Sequence, residues 1–277
     1  MAATFVLGLS GQVGAALLAR RPQAAGPILA LSREPRAPQP GVEWRRDSLE
    51  SLAECPAGVD CILSLGPLDV FAAWLERSGA APARVVALGS TGVRHKQDSA
   101  EPADRDEARR LAVAEGVLFD CARRRGIAAT LLRPTMIYGA GRDRGLARLA
   151  ALARRTRLLP LPANARGLRQ PVHVDDVADA VLACLHAPAS HDRAFDLPGA
   201  EAVPFDAMVR RYLAVHAPAA RVLRLPTPLF TLAAAGAGIL GRGGALRSWL
   251  ARAAHDQLAD ASEARAAFAY APRAFAP

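Results

Sequence analysis

Five short apolar runs, each followed by a turn or a helix-patterned stretch, leave few folds open to this chain. They read TFVLGLS (4–10), PILALS (27–32), VDCILSLG (59–66), ARVVALGS (83–90) and IAATLLRP (127–134). Short runs without polar alternation are strands buried on both faces, as in a parallel sheet. Helical candidates lie between them near 12–21, 68–79 and 104–125. The last carries Leu111, Leu118 and Cys121 at helical spacing and meets a C-terminal cap at Gly126. Repeated strand-then-helix order predicts an α/β fold of Rossmann type, a doubly wound parallel sheet with helices on both faces. After about residue 190 the rhythm turns irregular and proline-rich. The expected division is therefore a main domain over 1–190 and a smaller substrate-binding lobe over 191–277.

Composition narrows the function classes. With 277 residues, 51% of them hydrophobic and 22% charged, the chain can bury a sizeable core. Its net charge of +9 is almost all arginine, because Lys96 is the only lysine. The arginines are scattered and aromatics make up only 5%, so the excess reads as a solvated surface with no nucleic-acid partner. Cys55, Cys61, Cys121 and Cys184 have no paired spacing and sit in apolar runs, which predicts reduced, buried thiols. The start lacks a basic segment ahead of its apolar stretch, and the run Pro228–Leu240 is too short to span a bilayer. The expected location is the cytoplasm.

The first strand runs into LGLSGQVG, with Gly8, Gly11 and Gly14 at intervals of three before a helix. Backbone N–H groups and the dipole of a helix start favour an anion, and glycine lets a pyrophosphate come close. The spacing is G-x-x-G-x-x-G, which differs from the commoner G-x-G-x-x-G fingerprint. A second strand ends about twenty residues on, where ribose recognition belongs. An acid there favours NAD; this chain has Ser32 and Arg33, which suit the 2′-phosphate of NADP, although Glu34 beside them keeps NAD open. Asp47, after a third strand, either reaches the adenine amino group or caps the next helix.

Taken together, these segments resemble the extended short-chain dehydrogenase/reductase family, the NAD(P)-dependent sugar epimerases and dehydratases, in an atypical form. The resemblance rests on LGLSGQVG, VVALGSTGV (85–93), LLRPTMIYGAG (131–141), RQPVHVDDVADAV (169–181), AFDLPGAEAVPFDAMV (194–209) and the tail DASEARAAFAYAPRAF. It implies NADP as cofactor, with NAD as the alternative, and a small or nucleotide-linked substrate; a homodimer is compatible with it. It also implies cofactor contacts from Gly8, Ser10, Gly11, Gln12, Val13, Gly14, Ser32, Arg33, Asp47, Ser64, Leu65, Gly66, Arg110, Arg133 and Pro134.

The family's chemistry uses a tyrosine and a lysine at i, i+4 on a helix, the cation lowering the phenol's pKa so that it exchanges protons with a substrate hydroxyl. Here Asp106 and Arg110 fall at those positions, and no tyrosine occurs between Thr91 and Ile137. A carboxyl is a poor proton donor at pH 7 and an arginine does not titrate there. The two residues are spaced to pair with each other as surface partners. Ser90, beside Thr91, holds the family's Ser/Thr position, and Tyr138 follows the last of the five strands; these two are the catalytic candidates. His173, with Asp175 and Asp176, reads as a packed histidine at a helix start, and no metal site is expected. Two functions stay open: an enzyme with a displaced proton donor, or a cofactor-binding sensor or assembly protein without chemistry.

Overall fold

The computed structural model describes residues 3–21, 26–139, 141, 145–230 and 252–277. All five apolar runs become strands: β1 (Ala3–Leu7), β2 (Ile28–Ser32), β4 (Val59–Ser64), β5 (Arg84–Leu88) and β6 (Ala128–Pro134), with β3 (Val42–Arg46) between the second and third runs. With β11 (Arg193–Leu197) they form a seven-stranded sheet of order β3-β2-β1-β4-β5-β6-β11 in which every pair is parallel. The order reverses at β1, and that reversal opens a crevice at the strands' carboxyl ends where doubly wound sheets bind ligands.

Successive side chains on a strand point to opposite faces, so Phe5 and Val6 enter different cores. On one face helices α1 (Gln12–Arg20) and α6 (Val174–Leu185) bury Leu17, Val177 and Val181 against Val6, Ala30 and Leu132. On the other, α2 (Leu68–Ser78) and α4 (Pro102–Arg125) bury Phe71, Trp74 and Leu118 against Phe5, Ile62 and Leu131. α2 repeats its apolar residues at Leu68, Phe71, Trp74 and Leu75, one stripe of a 3.6-residue period. α4 starts with a proline in its first turn and ends where Gly126 adopts φ 65°, the left-handed cap read from the sequence.

A third core lies beyond the sheet. It packs α5 (Leu146–Thr156), β8 (Leu158–Pro162) and α7 (Phe205–His216) around Leu149, Leu161, Phe205 and Met208. β13 (Arg221–Leu225) pairs with β8 in parallel. The expected boundary at 190/191 does not follow this division. β11 lies after it yet completes the central sheet, whereas α5 and β8 lie before it and belong to the lobe. The chain crosses into the lobe, returns to the sheet edge, and crosses again.

Two buried arginines hold backbone carbonyls together, with no carboxylate in hydrogen-bond range among the described residues. The Arg84 guanidinium donates to the carbonyls of Val85, Ala128 and Cys184 at 2.9, 2.6 and 2.9 Å and to the hydroxyls of Thr130 and Ser190 at 2.7 and 3.0 Å. Arg169, in β9 (Leu168–Arg169), donates to the carbonyls of Leu168, His255 and Arg252 at 2.8, 2.6 and 2.5 Å. Burial lowers its pKa to about 10. Among the described residues no helix is long and apolar enough to cross a membrane. The apolar run at Pro228–Leu240 lies outside them beyond Phe230.

Candidate cofactor cleft and active site

The glycine loop sits at the reversal of the sheet, and its three glycines meet different surroundings. Gly8 has φ 79°, and a Cβ there would stand 2.9 Å from Gly66 N and from Leu65 C, because the loops after β1 and β4 touch at this point. A Cβ on Gly14 would stand 2.2 Å from the carbonyl oxygen of Leu9, so only glycine lets α1 settle onto the loop. Gly11 is exposed and caps α1; a Cβ on it would meet only Gly8 O at 3.1 Å. Gly11 is thus the one glycine whose missing side chain leaves room for something else. The first N–H groups of α1 have no acceptor within the helix, no side chain caps them, and no acid lies in the first turn.

Two cavities flank this loop. One of about 620 Å³ is lined by Gly11, Gln12, Val13, Leu65, Gly66, Ser90 and Pro134. The other, of about 230 Å³, is lined by Gly8, Ser10, Ser32, Arg33, Asp47 and Ser64. Twelve of the residues expected to contact a cofactor therefore line one or other of these cavities, which share Gly66, and Ser90 lines the larger. Two polar atoms in it, Gln12 Oε1 and Ser64 Oγ, are buried without a hydrogen-bond partner. Leaving such atoms unpaired is costly unless a ligand satisfies them. A cradle that a Cβ would fill, free helix-start N–H groups and two orphaned polar atoms fit an extended dinucleotide.

Several residues take other roles than the sequence suggested. The Asp47 carboxylate accepts from Ser48 N–H at 2.8 Å and Ser51 Oγ at 2.5 Å, and those bonds hold it below the usual carboxylate range. The Ser32 hydroxyl donates to Glu34 O at 2.7 Å and accepts from Arg36 Nε at 3.0 Å, which brings in an arginine that sequence reasoning passed over. Arg133 lines neither cavity. Its Nε donates to Glu115 of α4 at 2.8 Å, and its other nitrogens reach Glu115 and, at 3.8 Å, Asp196.

The expected ion pair between Asp106 and Arg110 is absent. Asp106 pairs with Arg109 at 3.2 Å and Arg110 approaches Asp69 of α2 at 3.7 Å, and both Asp106 and Arg110 are exposed. A helix turns 100° per residue, so neighbours at three and at four residues compete, and here the nearer one wins. The face of α4 turned inward carries Asp104, Ala108, Glu115 and Leu118, none of them a tyrosine or a lysine. Asp104 pairs there with Arg252 from the C-terminal segment.

Ser90 faces the larger cavity while its Oγ accepts from Gly92 N–H at 3.0 Å, which leaves its own proton free to donate. Tyr138, in β7 (Ile137–Tyr138), is 1% exposed. Its hydroxyl donates to Ala274 O at 3.4 Å and accepts from Ala276 N–H at 3.2 Å, so the chain's last residues occupy it. Burial raises its pKa. His173 packs edge-on against that ring, and its Nδ1 accepts from Asp175 N–H at 3.2 Å, the cap of α6. Asp176 is taken by Arg273, whose N–H and Nε lie 2.9 and 2.8 Å away.

Comparison with known proteins follows from this geometry. The model of the NAD dependent epimerase/dehydratase family matches residues 64–197, from the last residue of β4 to the last of β11. No curated protein matches the sequence. Among solved structures, UDP-glucuronic acid 4-epimerase from Bacillus cereus, in complex with UDP-glucuronic acid and NAD, aligns with a TM-score of 0.75 at 12% identity, over 99% of this chain and 95% of that one. UDP-glucose 4-epimerase from Thermotoga maritima, with UDP-glucose, aligns with a TM-score of 0.69 at 13% identity, over 98% and 93%. A NAD-dependent NDP-hexosamine 5,6-dehydratase of tunicamycin biosynthesis aligns with a TM-score of 0.63 at 17% identity, over 82% and 84%. At such identities the likeness establishes the fold.

Proposed function

We propose, for a chain whose residues 64–197 carry the pattern of the NAD dependent epimerase/dehydratase family, that it binds NADP(H) and acts on a small or nucleotide-linked substrate by epimerisation, dehydration or reduction, without the usual tyrosine and lysine pair. The observation that carries this reading is the cradle at the sheet reversal, where Gly11 is open and Gln12 Oε1 and Ser64 Oγ are orphaned. The complexes of the structural neighbours with NAD and UDP-sugars support the ligand classes. NADP is preferred over NAD because Ser32 and Arg33 stand at the end of β2 ahead of Glu34.

A bound nicotinamide supplies a hydride donor or acceptor. The chain supplies the rest. The start of α1 and the loop after β4 hold the pyrophosphate. Ser90 donates its hydroxyl proton to a substrate oxygen, its acceptor side being taken by Gly92 N–H. Among the described residues, the walls of the larger cavity present Gln12, Ser90 and Thr135 as polar side chains, so on this reading the exchangeable proton comes from substrate or water.

That last observation also favours a second reading, a sensor or assembly protein that binds the cofactor and does no chemistry. Among the described residues, none lining the larger cavity is an acid, a histidine, a cysteine or a lysine. Titration with NADPH and NADH, followed by nicotinamide fluorescence, tests the binding claim; absence of saturable binding to either overturns both readings. Hydride transfer scanned over nucleotide sugars separates them. Turnover that falls in Ser90→Ala supports the enzyme, and none with any substrate supports the sensor.

A further inference from the structure

The positive charge of the chain is unevenly placed. Residues 145–172 contain no aspartate or glutamate and residues 205–255 contain only Asp206, yet the two stretches carry thirteen arginines. In the rest of the chain acids slightly outnumber bases. These stretches include α5, β8, α7 and β13, the elements of the lobe. Asp206 is buried and taken by Arg210 and Arg224, so it offers nothing to the other arginines. We propose that the outer face of the β8–β13 sheet, with the end of α5 beside it, docks on an anionic lipid surface, its arginines on the headgroups and its leucines in the acyl boundary. The proposal is independent of the cofactor reading.

Burial along the two strands shows which side chains point outward. Leu159 and Leu161 are buried in the third core, so Leu158 and Pro160 face away from it. On β13, Val222 packs against that core, which turns Arg221 and Leu223 outward. The strands pair with Leu158 beside Arg221 and Pro160 beside Leu223, so two leucines and an arginine share one face. The leucines are 49% and 47% exposed. Arg221 N–H also donates to Arg157 O at 2.9 Å, which sets Arg157 at the rim. Arg154 and Arg155 lie in the last turn of α5 just before it, and Arg154 donates to His216 O at 3.0 Å, next to the exposed Val215. Arg155, Arg157 and Arg221 are exposed and have no ion-pair partner among the described residues.

Simpler causes explain part of this face. The dipole of α5 favours two cations in its last turn. It does not account for Arg157 beyond the helix or for Arg221 on another strand. Solvation of charge does not account for half-exposed leucines among the arginines. A second copy of the chain, meeting this face with the same face, would set arginine against arginine. A nucleic acid would use the arginines and leave the leucines in water. An anionic membrane uses both. Each arginine gains from the negative surface potential, its long side chain reaches a headgroup, and the apolar neighbours enter the boundary beneath. Such contact lies on the bilayer and needs no spanning helix.

Flotation of the full chain with vesicles tests this. Wild type should bind equimolar phosphatidylcholine and phosphatidylglycerol, ignore phosphatidylcholine alone, and let go as salt rises. Arg155→Gln and Arg221→Gln should each weaken binding about 5-fold. Leu158→Gln and Leu223→Gln should each cost about 4- to 10-fold, since half of each side chain is still available for burial. All four side chains are exposed, so circular dichroism and Tm should match wild type. Equal binding to both vesicle types, or to neither, overturns the proposal. So does binding to single-stranded DNA that the leucine variants leave intact while vesicles stay unbound, which would make the partner a nucleic acid. Leucine variants that lower Tm yet bind vesicles as wild type does would show the face to be covered within the folded chain, and the proposal would fail.

Discussion

Alanine or valine at each glycine of the loop should separate folding from binding, because the three positions are crowded by different things. At Gly14 a methyl would overlap three backbone atoms of Leu9, at 2.2, 2.4 and 2.5 Å. Contacting carbon atoms ordinarily sit about 3.5–4.0 Å apart, so α1 must withdraw by about 1 Å or more. That helix seals one face of the sheet with Val13, Ala16 and Leu17, and withdrawal loosens the whole layer. Overpacking costs about 1–3 kcal/mol, and since backbone cannot rotate aside, Gly14→Ala belongs at or above the top of that range. Gly8→Ala pays about 1–2 kcal/mol for the left-handed backbone and some further strain against Gly66 N at 2.9 Å. At Gly11 the Cβ of a substituted side chain meets only one atom, at 3.1 Å, and the loss of a modest capping preference costs under about 1 kcal/mol. Urea denaturation should therefore rank stability as wild type, Gly11→Val, Gly8→Ala, Gly14→Ala. The last midpoint should fall by about 1 M or more, given denaturant slopes of about 1–3 kcal/mol per molar. NADPH binding should show the opposite pattern for Gly11→Val, which stays folded and loses saturable binding. A Gly14→Ala midpoint equal to wild type, or normal binding by Gly11→Val, would refute the reasoning.

Three other outcomes are expected. Asp106→Asn should keep any turnover within a few-fold, because its carboxylate is exposed and held by Arg109; a loss of about 10²–10⁴-fold, typical of a missing general acid, would make it catalytic after all. Burial lowers the His173 pKa below 6.5 against the pull of Asp175, so the unfolded chain takes up that proton first. Its stabilising share is therefore full above pH 6.5 and falls as pH drops through the folded value. His173→Asn, which caps without titrating, should show a smaller Tm drop from pH 7.5 to 5.5, and an unchanged drop counts against the assignment. Tyr138→Phe should cost about 1–2 kcal/mol by stranding the Ala274 carbonyl and the Ala276 N–H while sparing turnover; lost turnover at unchanged Tm would return the phenol to the active site.

The five buried strands were legible because apolar runs announce themselves, and the glycine loop because its place between strand and helix is local. The facing of α4 was written in the sequence too. Ala108, Leu118 and Ala122 mark its inner stripe, and that stripe leaves Asp106 and Arg110 outside while drawing Asp104 and Glu115 in. Aligning by a motif's spacing overrode the hydrophobic period. The lobe was less readable. Its pairings, such as β8 with β13 or Leu168–Arg169 with Val203–Pro204, join short segments far apart in the chain, and two-residue strands leave no alternating pattern. Arg36 escaped notice because a loop side chain that folds back onto a strand end has no linear signature.

The two carbonyl-bound arginines set how the joints of this molecule respond to ionic strength. Surface pairs such as Asp106 with Arg109 are attractions between opposite charges in water, and they fade as the Debye length shrinks to about 3 Å at 1 M salt. Arg84 and Arg169 are 8% and 4% exposed and bind neutral oxygens, with Asp192 and Asp256 acting only from beyond hydrogen-bond range, so there is little countercharge to screen and little room for an ion to compete. They act as fixed hydration, giving backbone carbonyls the N–H groups that trapped water would otherwise give. In molar salt the surface should lose its pairing while Arg84, which ties β5 and β6 to the end of α6, and Arg169, which ties β9 to His255 and Arg252, keep their grip.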